Sequence, residues 1–326
     1  LNLKQQLLSR KDFRESVFAR DNHKCVVCKD IAVDAHHLIE RKLWNNEGYY
    51  LDNGTSLCEE HHRLAEKNIL LPQSLRVFAG ITTTILPQFF DKTKEYNKWG
   101  KELKQPTRED IKYPSTSYFN FSPGKDNLRE SEDINITQLL NVPLVVTVKM
   151  DGSNAKLTRN YVAARNGHQA NHLSFDMLKS IHSKIKHKIP DDILIFGEWL
   201  YAKHSIHYVT ELSLTSLFQV FGVYYKPTRM WFGWSGVKHY AKLLGFSTVP
   251  VVAEIKKSTE WELTNKICQI AEEQISQGQE GIVVRSTYSY HYGQFGQLVG
   301  KYVRANHVQT DEHWMNQRIV RNEVKI

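Results

Sequence analysis

Two groups of residues in this 326-residue chain have the types and spacing to do chemistry. The first is spread over four strand-like segments. Lys149 closes the apolar, β-branched run from Pro143 to Val148, and Asp151 and Gly152 follow it within three residues. A lysine at a strand mouth, beside a glycine that lets backbone approach a ligand, can shed its proton when desolvated and act as a nucleophile. Alone, such a K-x-D-G stretch is more often a surface lysine before a turn. Three further segments narrow the choice: Ile193 to Trp199 delivers Glu198 after a glycine, Glu280 opens the apolar run to Arg285, and Leu298 to Arg304 carries Lys301. A lysine, two glutamates and a lysine in this order suit nucleotidyl transfer. The glutamates would hold a metal or a ribose, the metal would neutralise phosphate charge, and the lysines would bracket the α-phosphate.

The second group lies near the N-terminus. Cys25 and Cys28 form one Cys-x-x-Cys hook, and Cys58 and His61 form a second about thirty residues later. Two hooks at this spacing predict a closed tetrahedral Zn²⁺ site of the structural kind. Three of the four cysteines take part, which fits metal binding in a reducing, cytoplasmic compartment rather than a disulfide framework. The fourth, Cys268, falls in a helical-looking segment and is expected in the core. Around the hooks stand His36, His37, Asn53 and His62.

The elements that must position these groups are partly readable. Lys11 to Arg20 predicts a short helix before the first hook. Pro87 precedes a predicted helix over residues 88–103, with Phe89, Tyr96 and Trp99 on one packing face. Gln105-Pro106-Thr107 reads as a boundary. The expected organisation is a zinc module over residues 1–70, a helical connector over 71–108 and a larger domain over 109–326. The net charge of +8 favours a polyanionic partner. No apolar run is long enough to cross a membrane, and the N-terminus does not read as a signal peptide.

From about Lys112 onward the chain resembles ATP-dependent RNA ligases, of the covalent nucleotidyltransferase superfamily that includes DNA ligases and capping enzymes. The resemblance rests on Lys112-Tyr113-Pro114, Phe121 to Gly124, Lys149 to Asn154, Gly197-Glu198, Leu200 to Tyr208, Leu244-Gly245, Val249-Pro250, Glu280 to Arg285 and Lys301 to Trp314. It implies an α+β, ATP-grasp-like adenylyltransferase core of antiparallel sheets with flanking helices. It also implies ATP and Mg²⁺ or Mn²⁺ as cofactors and RNA as partner. Lys149 would carry AMP, Glu198 would face ribose or metal, and Glu280 would be the second acidic residue near the metal. Lys301 would touch the AMP phosphate, and Arg165 would lie near the ribose and incoming strand. Phe221 would stack on adenine, with Phe218 as a competitor for that role, and Asp151 with Gly152 would organise the turn. One departure is visible. Many superfamily members have K-x-K in the last motif, whereas Val303 and then Arg304 follow Lys301 here. About 25 residues follow Lys301, short of the roughly 70–150 of an OB-fold, which suits an RNA ligase better than a DNA ligase or capping enzyme. The histidines at 204 and 207 and at 307 and 313 match the family pattern without an assigned role.

Residues 11–67 resemble the HNH nucleases, which implies a small ββα-metal module. By position, His37 would be the general base that activates water, His36 and His62 would ligate a catalytic divalent metal, and Asn53 would orient the hairpin. His61 stands where the family more often has cysteine, so two adjacent histidines could exchange roles. The target of such a module, DNA or RNA, is open. The rival readings are a nuclease whose ligase-like half only binds nucleic acid, and an RNA-binding protein without either activity.

Overall fold

The computed structural model describes residues 6–103, 111–125, 133–165, 167–210, 217–305 and 319–324. The chain divides into two compact units, residues 1–105 with 290–293 and residues 106–289 with 294–326.

The first unit opens with α1 (Arg10–Arg20), as its sequence predicts. Ser9 caps the helix by accepting a hydrogen bond from the Asp12 N–H, and α1 buries Phe13 and Val17. An antiparallel hairpin of β1 (Asp34–His37) and β2 (Gly54–Leu57) follows, pairing Asp34 with Leu57 and His37 with Gly54. Helix α2 (Glu59–Glu66) starts directly after Cys58, and α3 (Pro72–Ala79) has proline at its first turn and ends on left-handed Gly80. Phe13, Val17 and Tyr49 form a small core against which Ala35 and Leu51 pack.

Among the described residues of the expected connector the helix is α3, and residues up to 105 cluster with the first unit; the helix expected over residues 88–103 does not form. Side chains compete with helical hydrogen bonding there. Asp91 Oδ1 accepts from the Thr93 N–H and hydroxyl, and Asn97 Oδ1 accepts from the N–H groups of Trp99 and Lys101. Gly100 then takes a left-handed φ of +79°. Nor do the aromatic residues share a buried face: Phe89 is 67 % and Trp99 48 % exposed.

Among the described residues the second unit contains two larger antiparallel-rich sheets and a parallel pair of short strands, Val209–Thr210 and Glu323–Val324. Its elements are β3 (Ser117–Tyr118), β4 (Leu144–Val148), β5 (Ser153–Leu157), β6 (Val162–Ala164), α4 (Asp176–Ile185), β7 (Ile193–Trp199), β8 (Val209–Thr210), β9 (Phe218–Tyr225), β10 (Met230–Trp231), α5 (Trp234–Leu244), β11 (Ser247–Thr248), β12 (Val251–Ile255), α6 (Glu260–Ser276) and β13 (Gly281–Ser286). After the short β14 (Tyr290–His291), grouped with the first unit, come α7 (Phe295–Leu298), β15 (Val299–Val303) and β16 (Glu323–Val324). One sheet has the order β12-β4-β13-β15-β3, and the other includes β10-β9-β7-β5-β6 with β11 beside β9. The near-continuous burial of β4, β7 and β9 is what sheets covered on both faces require. Helix α6 begins with a capping box between Thr259 and Glu262 and lies along β13 and β15. Cys268 on α6 is partly exposed rather than fully buried in the core.

Candidate active site and metal centres

In the second unit the strand ends gather the expected charges. The register that pairs Val148 with Ile282 continues one step further, where the Lys149 N–H donates to the Gly281 carbonyl at 2.9 Å. That step brings Lys149 Nζ to 2.6 Å from Glu280 Oε2, with the Glu280 side chain only 7 % exposed. Thr147, Val283 and Lys301 form one cross-strand row, and Lys149 lies two residues past Thr147 on the same face. Lys301 Nζ sits 3.9 Å from the centroid of the Tyr118 ring, a cation–π contact that keeps the ammonium ordered at the sheet surface.

Glu198 arrives from the other sheet. Its Oε1 accepts from the Gly152 N–H at 3.1 Å. A Cβ at Gly152 would come 2.7 Å from the Trp199 carbonyl oxygen and 3.2 Å from Glu198 Cγ, so the glycine serves this backbone approach. Burial pushes the Glu198 carboxyl up to about 7, against the opposing pull of Lys149 and the Gly152 N–H. Asp151 organises the loop: its Oδ2 accepts from the N–H groups of Ser205 and Ile206 and from the Ser205 hydroxyl, at 2.6–3.0 Å. Its own N–H donates to the Tyr208 hydroxyl at 3.0 Å. His204 Nε2 lies 3.2 Å from Ser153 Oγ. The 204–208 segment is thus tied directly to the Lys149 loop, a connection that the family pattern alone did not explain.

Phe221 is the extra residue of a β-bulge. Phe196 pairs with Gly222 and Gly197 with Val220, leaving Phe221 between them. The Phe221 ring packs edge-on to Tyr113, with centroids 4.7 Å apart. Its carbonyl accepts from the Arg285 guanidinium, which also donates to Thr147 Oγ1 at 3.3 Å and so joins the two sheets. Phe218, by contrast, packs on Phe246 with no exposure. Arg165 is exposed one step beyond Ala164; the β5–β6 register sets it beside Asn154, the partner of Glu198. Residues 306–314 of the last motif, with His307 and His313, lie outside the described residues.

The first unit holds two clusters of metal-ligating groups. Cys25, Cys28, Cys58 and His61 each bring one donor atom within 4.8 Å of the others. Sulfurs 2.3 Å from a tetrahedral zinc stand about 3.8 Å apart; Cys28 Sγ and Cys58 Sγ are 3.7 Å apart. Burial opposes the Cys25 thiolate, but hydrogen bonds from His61 and from the backbone at Cys28, Cys58 and Val27 bring it down to about 6. The donor set therefore fits a closed zinc site.

The other cluster is Asp34, His36 and His62, which lies on the β1 face and the first turn of α2. His62 Nε2 is 3.3 Å from Asp34 Oδ2 and 3.2 Å from Glu66 Oε1, and His36 Nδ1 is 3.5 Å from that same Glu66 oxygen. His36 is 2 % exposed, and its buried Nδ1 makes no hydrogen bond, so a buried donor is aimed at the cluster. Asp34 and Glu66 are additions to the sequence reading. Their signal was present in the spacing: Asp34 is two residues from His36 on a strand, and Glu66 is four from His62 on a helix.

His37 points away from that pair, stacked on Phe13 at 4.6 Å and edge-on to Tyr49 at 5.2 Å. Burial, with Lys98 nearby, draws its imidazole down to about 4. Asn53 is fully buried, accepts from the Ile39 N–H at 2.9 Å and donates to the carbonyls of Ile39 and Gly48 at 3.1 and 3.0 Å. It staples the 39–48 loop across the hairpin.

The RNA ligase family model matches residues 142–303, just under half of the chain, and supports a ligase of this family in the second unit. No curated protein matches. Among solved structures the chain is similar to an archaeal ATP-dependent RNA ligase at 16 % identity and a TM-score of 0.42, over 59 % of this chain and 48 % of that one. It is also similar to a Naegleria gruberi RNA ligase with pyrophosphate at 14 % identity and a TM-score of 0.39, over 91 % and 81 % of the two chains. The chain spans about half the length of the archaeal ligase.

Proposed function

We propose that the second unit is an ATP-dependent RNA ligase that joins 5′-phosphate and 3′-hydroxyl ends through lysyl-AMP and RNA-adenylate. The observation that carries this reading is Lys149, held 2.6 Å from Glu280 at the adjoining ends of β4 and β13, with Glu198 bound to the Gly152 N–H of the same loop, inside the residues matched by the family model. Attack requires the neutral Lys149 amine, so its contact with Glu280 must open and its proton must pass to a base. The Glu280 Oε2 atom is the nearest base for its proton. A nitrogen–phosphorus bond then forms to the α-phosphate as the bond to pyrophosphate breaks. The AMP passes next to an RNA 5′-phosphate, and attack by a 3′-hydroxyl releases it. Lys301 is set to face phosphate charge, and Phe221 and Tyr113 offer an aromatic wall for the base. A divalent cation held by Glu198 and Glu280 would supply charge neutralisation at the phosphates. Glu198, whose carboxyl is pushed up by burial, has the chemistry of a group that gains from such a cation.

The first unit is proposed to be an HNH-type module with structural Zn²⁺ on Cys25, Cys28, Cys58 and His61, and a catalytic divalent metal on His36 and His62 assisted by Asp34. His37 is neutral at physiological pH, as a general base requires. Its buried Nε2 has no hydrogen-bond partner among the described residues, so water must gain access to it before His37 can act.

Incubation with α-labelled ATP tests the ligase reading. Wild type should become covalently labelled and Lys149→Ala should not, with the melting profile retained; equal labelling of the two would end the proposal. Paired RNA and DNA end-joining assays then identify the substrate. For the first unit, Mn²⁺-dependent cleavage of nucleic acid should be lost in His37→Ala by at least roughly a hundredfold. Cleavage by that variant at the wild-type rate would reduce the module to a binding clamp.

A further inference from the structure

Lys98 is a lysine in an unusual setting. It is 5 % exposed, its ammonium donates to Glu66 Oε1, and Glu40 Oε2 lies 3.6 Å away. Its placement is fixed from several sides. The Lys98 carbonyl accepts from the Glu40 N–H at 2.9 Å, Asn97 closes the turn around it, and Trp99 Nε1 donates to the Glu66 carbonyl at 3.2 Å. The Glu66 oxygen it holds is the one that faces both His36 Nδ1 and His62 Nε2. The ammonium therefore stands one carboxylate oxygen away from both imidazole donors.

We infer that Lys98 is a resident cation that withholds Glu66 from the Asp34/His36/His62 cluster, so that a metal there is bound by three protein donors and keeps open positions. This rests on the reading of that cluster as the metal site of the first unit. Two imidazoles and two carboxylates would make a four-donor set of the closed, structural type, whereas three protein donors leave room for water and a phosphate oxygen. Neutralising one carboxylate with an ammonium produces the open arrangement without removing the carboxylate. The same ammonium repels an incoming divalent ion, so it also lowers the affinity of the site. Lys98 is accordingly a positioning residue: it acts on the metal through Glu66 and need not touch nucleic acid.

Calorimetric titration of Mn²⁺ alone into the zinc-loaded full chain, without nucleotide, reads this out. The relevant component is the binding that His62→Ala removes. Lys98→Met should tighten it by about tenfold or more, while Lys98→Arg, which keeps the charge, should stay within about threefold of wild type. Glu40→Gln leaves the ammonium less compensated and should weaken binding, which keeps the idea testable should Lys98→Met fail to fold. Equal or weaker Mn²⁺ binding by a folded Lys98→Met protein would overturn the inference while the metal-site reading stands. Unchanged or tighter binding by Glu40→Gln would do the same. Absence of any His62-dependent binding in wild type would overturn both.

Discussion

The two glutamates around Lys149 sit in opposite electrostatic situations. Glu280 has the Lys149 amine at 2.6 Å, whereas Glu198 accepts from the Gly152 N–H and is pushed by burial up to about 7. An unfolded glutamate titrates near 4.5, so between roughly pH 4.5 and 7 the folded chain binds more protons at Glu198 than the unfolded chain does. Stability from this residue therefore falls as pH rises through that window and stays reduced above it. Glu198→Gln keeps an oxygen for the Gly152 N–H and removes the titration. Without nucleotide or added Mg²⁺, the variant should match wild type in urea unfolding near pH 5 and exceed it by about 1–2 kcal/mol at pH 8. A constant gap across pH would mean that Glu198 is not the group responsible. The stabilised variant should at the same time lose adenylylation, the usual cost of relieving an active site.

At the scale of elements, the parts that were legible in the sequence are those written in local chemistry. The apolar runs ending in Lys149 and Glu198, the one carrying Lys301 and the one opening at Glu280 became β4, β7, β15 and β13 because burial on both faces leaves an apolar run few other conformations. The Cys-x-x-Cys and Cys-x-x-His hooks close on each other because a hairpin and a helix start bring them there. What stayed hidden depends on partners distant in sequence. The bulge at Phe221 exists only in the register of β9 against β7, and no local pattern separates Phe221 from Phe218. Gly197 hints at it, since a Cβ there would meet the Phe218 ring at 2.6 Å. The failed helix over 88–103 has the opposite cause. Its aromatic spacing suggested a helical period, yet Asp91 and Asn97 hold the backbone in turns through their own side chains. Lys98 emerges from that stretch, so the misread segment is also the one that reaches the His36/His62 cluster.

At the scale of the whole molecule, the first unit is not continuous in sequence. Residues 290–293 cluster with residues 1–105, and His291, with no exposure, has its Nε2 2.7 Å from Glu95 Oε2. The cluster also holds Arg76, buried to 7 % exposure, whose guanidinium is drawn down by burial to about 10 with Glu95 and Asp52 as its favourable neighbours. Glu95 thus has buried nitrogen-bearing side chains from two parts of the chain as neighbours, the Arg76 guanidinium and the His291 imidazole. Removing one partner of such a set leaves the others uncompensated, at about 3–5 kcal/mol when fully buried; the Glu95 side chain is 25 % exposed, so about 1–3 kcal/mol is expected. A fragment ending at residue 105 should therefore still take up one zinc, yet unfold at lower temperature than the zinc-dependent transition of the full chain. His291→Ala in the full chain should lower that same transition by a comparable amount and leave lysyl-AMP formation intact. Chelation of zinc should then abolish the transition in all three proteins. If the fragment melts with the full-chain transition, residues 290–293 contribute nothing to the first unit, and the zinc-bearing fold is complete within its first 105 residues.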